Sequence, residues 1–363
     1  MDRSHSFPPA ILITCGDPAG IGPEVVVAAW GTVSFHERAR LRVVADAATL
    51  ADSAAVASQR AGKALSVDVV KATDPRVSTP ETLLVIEPEH ACGELVAKRT
   101  ITAAGGRAAV AAVETAFGIV QAGHAAALVT GPLHKEALRA AGRDEPGHTE
   151  LLARACGLPD EAASMMLWLP SERPDSDRAG LGVVHATLHE SLRTAVQHLS
   201  TERIVQAGIR LAMLLEAVLG HQPRLAVAAL NPHAGERGLF GDEEQRLIAP
   251  AVASLAAEGI NVAGPLPADT LFLRASQGHF DGVVAMYHDQ GHIPVKLLGM
   301  HRAVNITLGL PIIRTSVAHG TAFDIVGTGT ADPSSMRAAI DMAIRLAIAG
   351  WPRTASGGVP RGF

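Results

Sequence analysis

Aromatic side chains are scarce in this chain, at 3% of 363 residues, with a single tyrosine. A core of this size must therefore be assembled from Ala, Val, Leu and Ile, a supply that suits buried parallel strands covered by Ala-rich helices. Cysteine is scarce as well. Cys15, Cys92 and Cys156 are odd in number, far apart and in no metal spacing, which excludes a disulfide framework and reads as reduced thiols of a cytosolic protein. Cys15 is expected as a packed small side chain rather than a nucleophile. Positive charge is nowhere concentrated: the formal net charge is −5 and Lys and Arg form no cluster, so nucleic acid is not an expected partner. Long apolar runs are missing too. The polar start "MDRSHSFPPA" opens neither a signal peptide nor a membrane span, and the expected location is the cytoplasm. Two motif absences narrow the chemistry. No GxGxxG supports a Rossmann nucleotide site, and without HExxH the usual zinc-protease reading is removed.

What is present is alternation. Apolar runs at 11–14, 41–46, 83–87, 126–131, 181–187, 224–230, 282–288 and 303–308 read as strands. Between them, 105–122, 149–155, 200–219, 244–257, 334–348 and "PEVVVAAW" read as helices, with Pro23 suited to a first turn. Such a pattern argues for α/β layering on a mostly parallel sheet. No Gly/Ser linker divides the chain, so two domains would be interleaved: residues 1–135 plus 309–352 as an outer domain and 136–308 as an inner one. Residues 353–363 are expected to be a frayed tail, and 171–180 a polar loop.

Four of the apolar runs end in the same chemistry. "AALVT" runs into His134-Lys135, "LGVV" into His185 and His189, "RLAVAAL" into His233 and Glu236, and "GVVAM" into His288-Asp289. Ligands of open α/β sheets bind at the carboxyl ends of strands, where loops converge. One polar site at one sheet edge is therefore expected, and three imidazoles from separate strands hold a divalent cation while leaving positions for substrate. A single strand-end histidine is more often a loop residue; four repeats shift the balance. His189 is favoured over a His185/His189 pair, because their setting reads as strand into loop. For anions, Gly147-His148-Thr149 stand just before a helix, with Thr149 as its expected N-cap. Lys296, Asn305 and Arg314 each lie beside an apolar segment where a cation or amide is otherwise costly. Arg314 suits a two-bonded grip on phosphate or carboxylate, Lys296 a point charge. Residue chemistry alone reaches a metal-assisted enzyme acting on a small anionic substrate.

At these residues the sequence resembles the 4-hydroxythreonine-4-phosphate dehydrogenase family of pyridoxine biosynthesis. The likeness runs through "ITCGDPAGIGPE", "VTGPLHKEAL", "GHTELLA", "NPHAGERGLFGDEE", "PADTLF", "YHDQGHIPVK" and "HGTAFDIVGTGTADP", in order over nearly the whole chain. It implies an isocitrate/isopropylmalate-dehydrogenase-like two-domain fold with a cleft between the domains. It also implies a homodimer with a shared active site, the inner domain supplying metal and dimer contacts. The implied activity is NAD- or NADP-dependent oxidation of a 4-phosphorylated 3-hydroxy acid, followed by decarboxylation, with one Zn, Mg, Mn or Co ion per site. Carried over by position, the metal ligands are His189, His233 and His288. The substrate contacts are His148, Thr149, Lys296, Asn305 and Arg314, and the catalytic candidates are Lys296 and Asp269. The cofactor residues stay open, with the loop 325–333 singled out. "HDQGHIP" recurs in relatives acting on 4-phosphorylated threonate or erythronate in sugar-acid catabolism, so that substrate is the first alternative; His292 carries the difference. A metal-dependent hydrolase and a non-catalytic ligand-binding protein are the more remote readings.

Overall fold

The computed structural model describes residues 7–62, 64–89, 96–159, 162–171 and 179–352. Cys92, most of the polar loop 171–180 and the tail 353–363 lie outside them. The chain divides into two compact units, Met1–Asp160 with Leu310–Ile348, and Glu161–Gly309 with Ala349–Phe363.

The first unit runs β1 (Ala10–Thr14), α1 (Gly22–Trp30), α2 (Val33–Arg38), β2 (Arg40–Val44), α3 (Ala47–Ala61), β3 (Ser66–Val69), β4 (Thr82–Ile86), α4 (Ala103–Gln121), β5 (Ala127–Thr130), α5 (Lys135–Ala140) and α6 (His148–Ala155). The second holds β6 (Ser164–Pro170), β7 (Gly180–His185), α7 (Leu192–His198), α8 (Thr201–Leu219), β8 (Leu225–Ala228), α9 (Ala249–Ala257), β9 (Val262–Leu266), α10 (Ala268–Ser276), β10 (Gly282–Ala285), α11 (His288–Gly299) and β11 (Val304–Leu308). The chain then returns to the first unit for β12 (Ile313–Val317) and α12 (Ser334–Ile348).

Strands of the first unit lie in the order β3-β4-β2-β1-β5-β12, all parallel. Those of the second follow β11-β6-β7-β10-β8-β9, with β6 antiparallel to both neighbours and β7, β10, β8 and β9 parallel. The alternating α/β reading is realised, and each of the eight expected strands lies on an observed one. Strands β1, β2, β4, β5, β7, β8 and β10 are buried along nearly their whole length by Ile, Leu, Val and Ala. Helix α4 is long and apolar enough, by length and composition, to cross a membrane; here Ala109, Val110, Val113 and Phe117 form the face it buries against β1, β2 and β5.

Two expectations are corrected. The inner unit begins about 25 residues later than 136, at Glu161. Helices α5 and α6 belong to the first unit because they pack on α4, so closely that a Cβ at Gly106 would collide with the Ala137 carbonyl. Thr149 is not an N-cap: α6 begins one residue earlier, at His148, with Gly147 as its cap. The stretch after His288, given no element by the apolar pattern, is helix α11, which tolerates Gly291 and Pro294 within it. Gly291 is required there, since a Cβ would run into the His185 ring.

Candidate active site

Because β7, β10 and β8 are parallel neighbours, their carboxyl ends lie at one edge of the second unit. His185 closes β7, His288 opens α11 just beyond β10, and His233 follows β8. The loops are tied to one another. Ala186 N–H donates to the Ala285 carbonyl at 2.8 Å, and Thr187 Oγ1 to the Met286 carbonyl at 2.8 Å. The buried Gln290 amide accepts from Met286 N–H at 2.6 Å and donates to the Ala229 carbonyl at 2.7 Å, bracing the turn after β10 against the end of β8.

Four imidazoles collect at this edge. His288 stacks on His292 with centroids 3.7 Å apart, and His185 lies 4.7 Å from His292 and 6.2 Å from His288. His189 lies 5.7 Å from His288. His189, His288, Glu190, Tyr287 and Asp289 line an open cavity of about 320 Å³. Burial, then the neighbouring His292 and His288, hold the His185 imidazole well below its usual pKa. Burial, then His288, pushes His292 down to about 4. Both are thus neutral at neutral pH, the state a metal ligand requires. His288 Nδ1 donates to Asp289 Oδ1 at 2.6 Å; in the neutral ring this leaves the lone pair on Nε2, the arrangement common behind metal-bound histidines.

His233 is presented differently. Residues His233, Ala234, Gly235, Glu236 and Arg237 all have left-handed backbone angles, with φ between 43° and 76°. For residues with a Cβ this conformation costs roughly 1–2 kcal/mol apiece, and His189 shares it at φ 49°. Strain of this kind collects at functional sites held by their surroundings. Glu244, 4% exposed, does the holding: its carboxylate accepts from Leu230 N–H (2.8 Å), Asn231 N–H (2.7 Å) and Asn231 Nδ2 (3.0 Å). Sequence reading missed Glu244 and Gln290, whose only signal is the "GDEEQ" after the histidine turn and the Gln inside "HDQG".

The donor set fits a divalent cation in kind: His189, His233 and His288 follow three neighbouring strands, and the first two sit on left-handed backbone. Among the described residues no three His, Cys, Asp or Glu converge on one point in this chain. Lys296 is exposed on α11, near enough to depress the His292 pKa. Asp269 is exposed in the first turn of α10 and accepts from Thr270 N–H at 2.9 Å. Asn305 is half-buried on β11, and its Oδ1 has no hydrogen-bond partner among the described residues.

In the first unit, Arg314 of β12 is 2% exposed and donates from Nε (3.1 Å) and Nη2 (2.7 Å) to Thr130 Oγ1. Burial lowers its pKa to about 10, with Glu150 opposing, so it remains a cation at neutral pH. His148, first in α6, has a buried Nε2 without a partner among the described residues. Burial, then Arg314, drives its pKa well below the usual value. A desolvated guanidinium beside a helix start suits a phosphate. The glycine loop 325–333 is anchored to the first turn of α1, Gly327 N–H donating to Glu24 Oε1 at 2.6 Å.

The family described as pyridoxal phosphate biosynthetic protein PdxA matches residues 37–343 of this chain. The chain is similar to the D-threonate 4-phosphate dehydrogenase of Salmonella typhimurium, 44% identical over 93% of this chain and 98% of the relative. It is similar as well to the 4-hydroxythreonine-4-phosphate dehydrogenase of Beijerinckia indica, 42% identical over 93% and 95%. A crystal structure of 4-hydroxythreonine-4-phosphate dehydrogenase from Klebsiella pneumoniae superposes with a TM-score of 0.80 at 40% identity, covering 95% of this chain and 99% of that one.

Proposed function

This chain belongs to the PdxA family of dehydrogenases, and on that premise we propose that it oxidises the secondary alcohol of a 4-phosphorylated 3-hydroxy acid. The product is a 3-oxo acid, which loses its carboxylate as carbon dioxide. The observation that carries the reading is Arg314: a guanidinium 2% exposed, beside the unpartnered His148 and the start of α6, in a chain whose relatives are named for 4-phosphate substrates. His148, Thr149 and Arg314 hold the phosphate, and Lys296 and Asn305 serve the remaining polar groups of the substrate. His189, His233 and His288 would hold a divalent ion, with Asp289 orienting His288. When bound, that ion supplies a Lewis acid for the alcohol oxygen, and NAD or NADP supplies the hydride acceptor. Asp269 and Lys296 are the candidates for moving protons.

We also infer a homodimer with a shared site, in which ligands from two copies complete each metal centre.

The substrate's second carbon carries either an amine, as in 4-hydroxythreonine 4-phosphate, or a hydroxyl, as in 4-phosphothreonate and 4-phosphoerythronate. We favour the hydroxy acid, on His292: it is 6% exposed and stacked on His288, which makes it part of the site rather than a surface residue. Measuring NADH and NADPH formation with the three phosphorylated acids tests both levels. A preference of about tenfold in kcat/KM for the amino substrate, about 1.4 kcal/mol, overturns the choice of acid. Equal turnover of unphosphorylated acids overturns the phosphate site.

A further inference from the structure

Outside the residues assigned so far, four buried polar atoms of the first unit have no hydrogen-bond partner among the described residues: Thr14 Oγ1, Asp17 Oδ2, His134 Nδ1 and His319 Nε2. They follow or end three adjacent parallel strands, β1, β5 and β12, on the carboxyl side. In the order β3-β4-β2-β1-β5-β12, the chain leaves β1 toward β2 on one side and returns to β5 on the other. Connections thus diverge between β1 and β5, the position where open α/β sheets bind ligands.

The three loops form one assembly. Asp17 N–H donates to the Pro132 carbonyl at 2.9 Å, and Ile21 N–H to the Thr321 carbonyl at 2.9 Å. The His134 ring stacks on Phe323, centroids 5.2 Å apart. Thr14 is the register partner of Thr130, which holds Arg314. Thr14 is fully buried and Asp17 is 1% exposed. A buried polar atom left unpaired costs about 1–3 kcal/mol, so several at one strand edge call for a ligand.

The atoms define its chemistry. Asp17 Oδ1 already accepts from Ala19 N–H at 2.9 Å, leaving Oδ2 as an acceptor. His319 Nδ1 donates to the Gly320 carbonyl at 2.9 Å, so that in the neutral ring Nε2 is an acceptor too. Thr14 donates or accepts. Such a set takes an uncharged group rich in N–H donors with one carbonyl, and the Asp17 carboxylate rejects an anion. Resting on the cofactor reading above, we propose that Thr14, Asp17, His134 and His319 form the subsite for the nicotinamide carboxamide, beside the substrate anion held by Arg314. Asp17 Oδ2 accepts from the amide, and Thr14 donates to its carbonyl.

Calorimetric titration with NAD, with its 3-acetylpyridine analogue (a methyl in place of the amide NH2) and with ADP-ribose tests the subsite. Wild type should bind NAD about tenfold more tightly than the analogue. Asp17→Asn keeps the bond to Ala19 but turns a donor toward the ligand, and should bring that ratio near one while leaving ADP-ribose affinity unchanged. Thr14→Val, close in shape, gives a second reading of the same ratio should Asp17→Asn not fold. A ratio unchanged in both variants overturns the subsite alone, as does an equal loss for ADP-ribose, which marks a structural role. Failure of wild type to bind any of the three, and NADP as well, overturns the cofactor reading and the subsite with it.

Discussion

Asp289 and Arg314 act on single bonds whose removal has separable effects. Asp289→Asn keeps the size of the side chain but weakens the acceptor that orients His288 through the 2.6 Å bond to Nδ1. Metal affinity should fall about 10–100-fold with little change in melting temperature, as loss of an outer partner of a metal-bound histidine does elsewhere. Competition with a metal indicator dye measures it. Arg314→Lys keeps the charge and loses the planar fork. A charge-assisted hydrogen bond is worth roughly 1.5–3 kcal/mol, so KM for the phosphorylated substrate should rise by ten- to a hundredfold. Affinity for an unphosphorylated acid should change far less, and steady-state kinetics on both substrates distinguishes the two.

At the scale of elements, the turn 232–238 and the starts of β8 and β10 carry the edge from opposite ends. Glu244→Gln leaves one of the bonds from Leu230, Asn231 N–H and Asn231 Nδ2 facing an N–H instead of an oxygen. Stability should drop by about 1–3 kcal/mol in chemical denaturation, with His233 released from its left-handed turn and metal affinity lowered. At the other end, Asp281 precedes β10 and meets Arg224, which precedes β8, through bonds of 2.9 and 3.1 Å. Burial raises the Asp281 pKa, but the bonds from the Arg224 side chain and main chain outweigh it, and the carboxyl sits below its usual value. A depressed carboxyl stabilises the fold fully above the unfolded value of about 3.9, and that contribution is lost as pH falls through the folded value. Asp281→Asn should therefore be less stable than wild type at pH 7 and approach it below pH 4. A constant difference between the two across urea titrations from pH 3 to 7 would remove Asp281 as the cause.

For the whole molecule, the proposed metal and the proposed shared dimer site each make a prediction. Exhaustive chelation should abolish turnover, and added Mg, Mn, Co or Zn should restore it, since three neutral nitrogens select weakly among these ions. Full activity in protein free of metal by elemental analysis would reject the metal. His189→Ala and His288→Ala, each inactive alone, should regain part of the activity when refolded together, because a mixed dimer assembles one intact site. Verified heterodimers without activity would count against sharing.

The alternation of apolar runs and the histidines that close them were legible in the sequence. Period and composition are local properties, and burial on both faces forces a parallel strand to read as a continuous apolar run. Four strands escaped: β6, although its run MMLWL is apolar, and three with local reasons. Strand β3 is a half-exposed edge with a polar alternation, β9 contains Gly264-Pro265, and β12 carries Arg314, Thr315 and Ser316. Those three polar side chains are buried by pairing with Thr130, the Ala339 carbonyl and the Val317 carbonyl, partners distant or invisible in a linear reading. Helix α11 was hidden by its Gly291 and Pro294, residues that break helices in isolation; packing against His185 makes the glycine necessary. By itself, then, the sequence determined the layering, the strand-end histidines and the family, because motif and period survive without contacts. Only the tertiary structure decided which imidazoles stack, that His189 and His233 sit on left-handed backbone, and that Thr14 Oγ1, Asp17 Oδ2, His134 Nδ1 and His319 Nε2 lack a hydrogen-bond partner among the described residues. Those features depend on which distant loops meet, and hydrogen bonding between loops leaves no period in a chain.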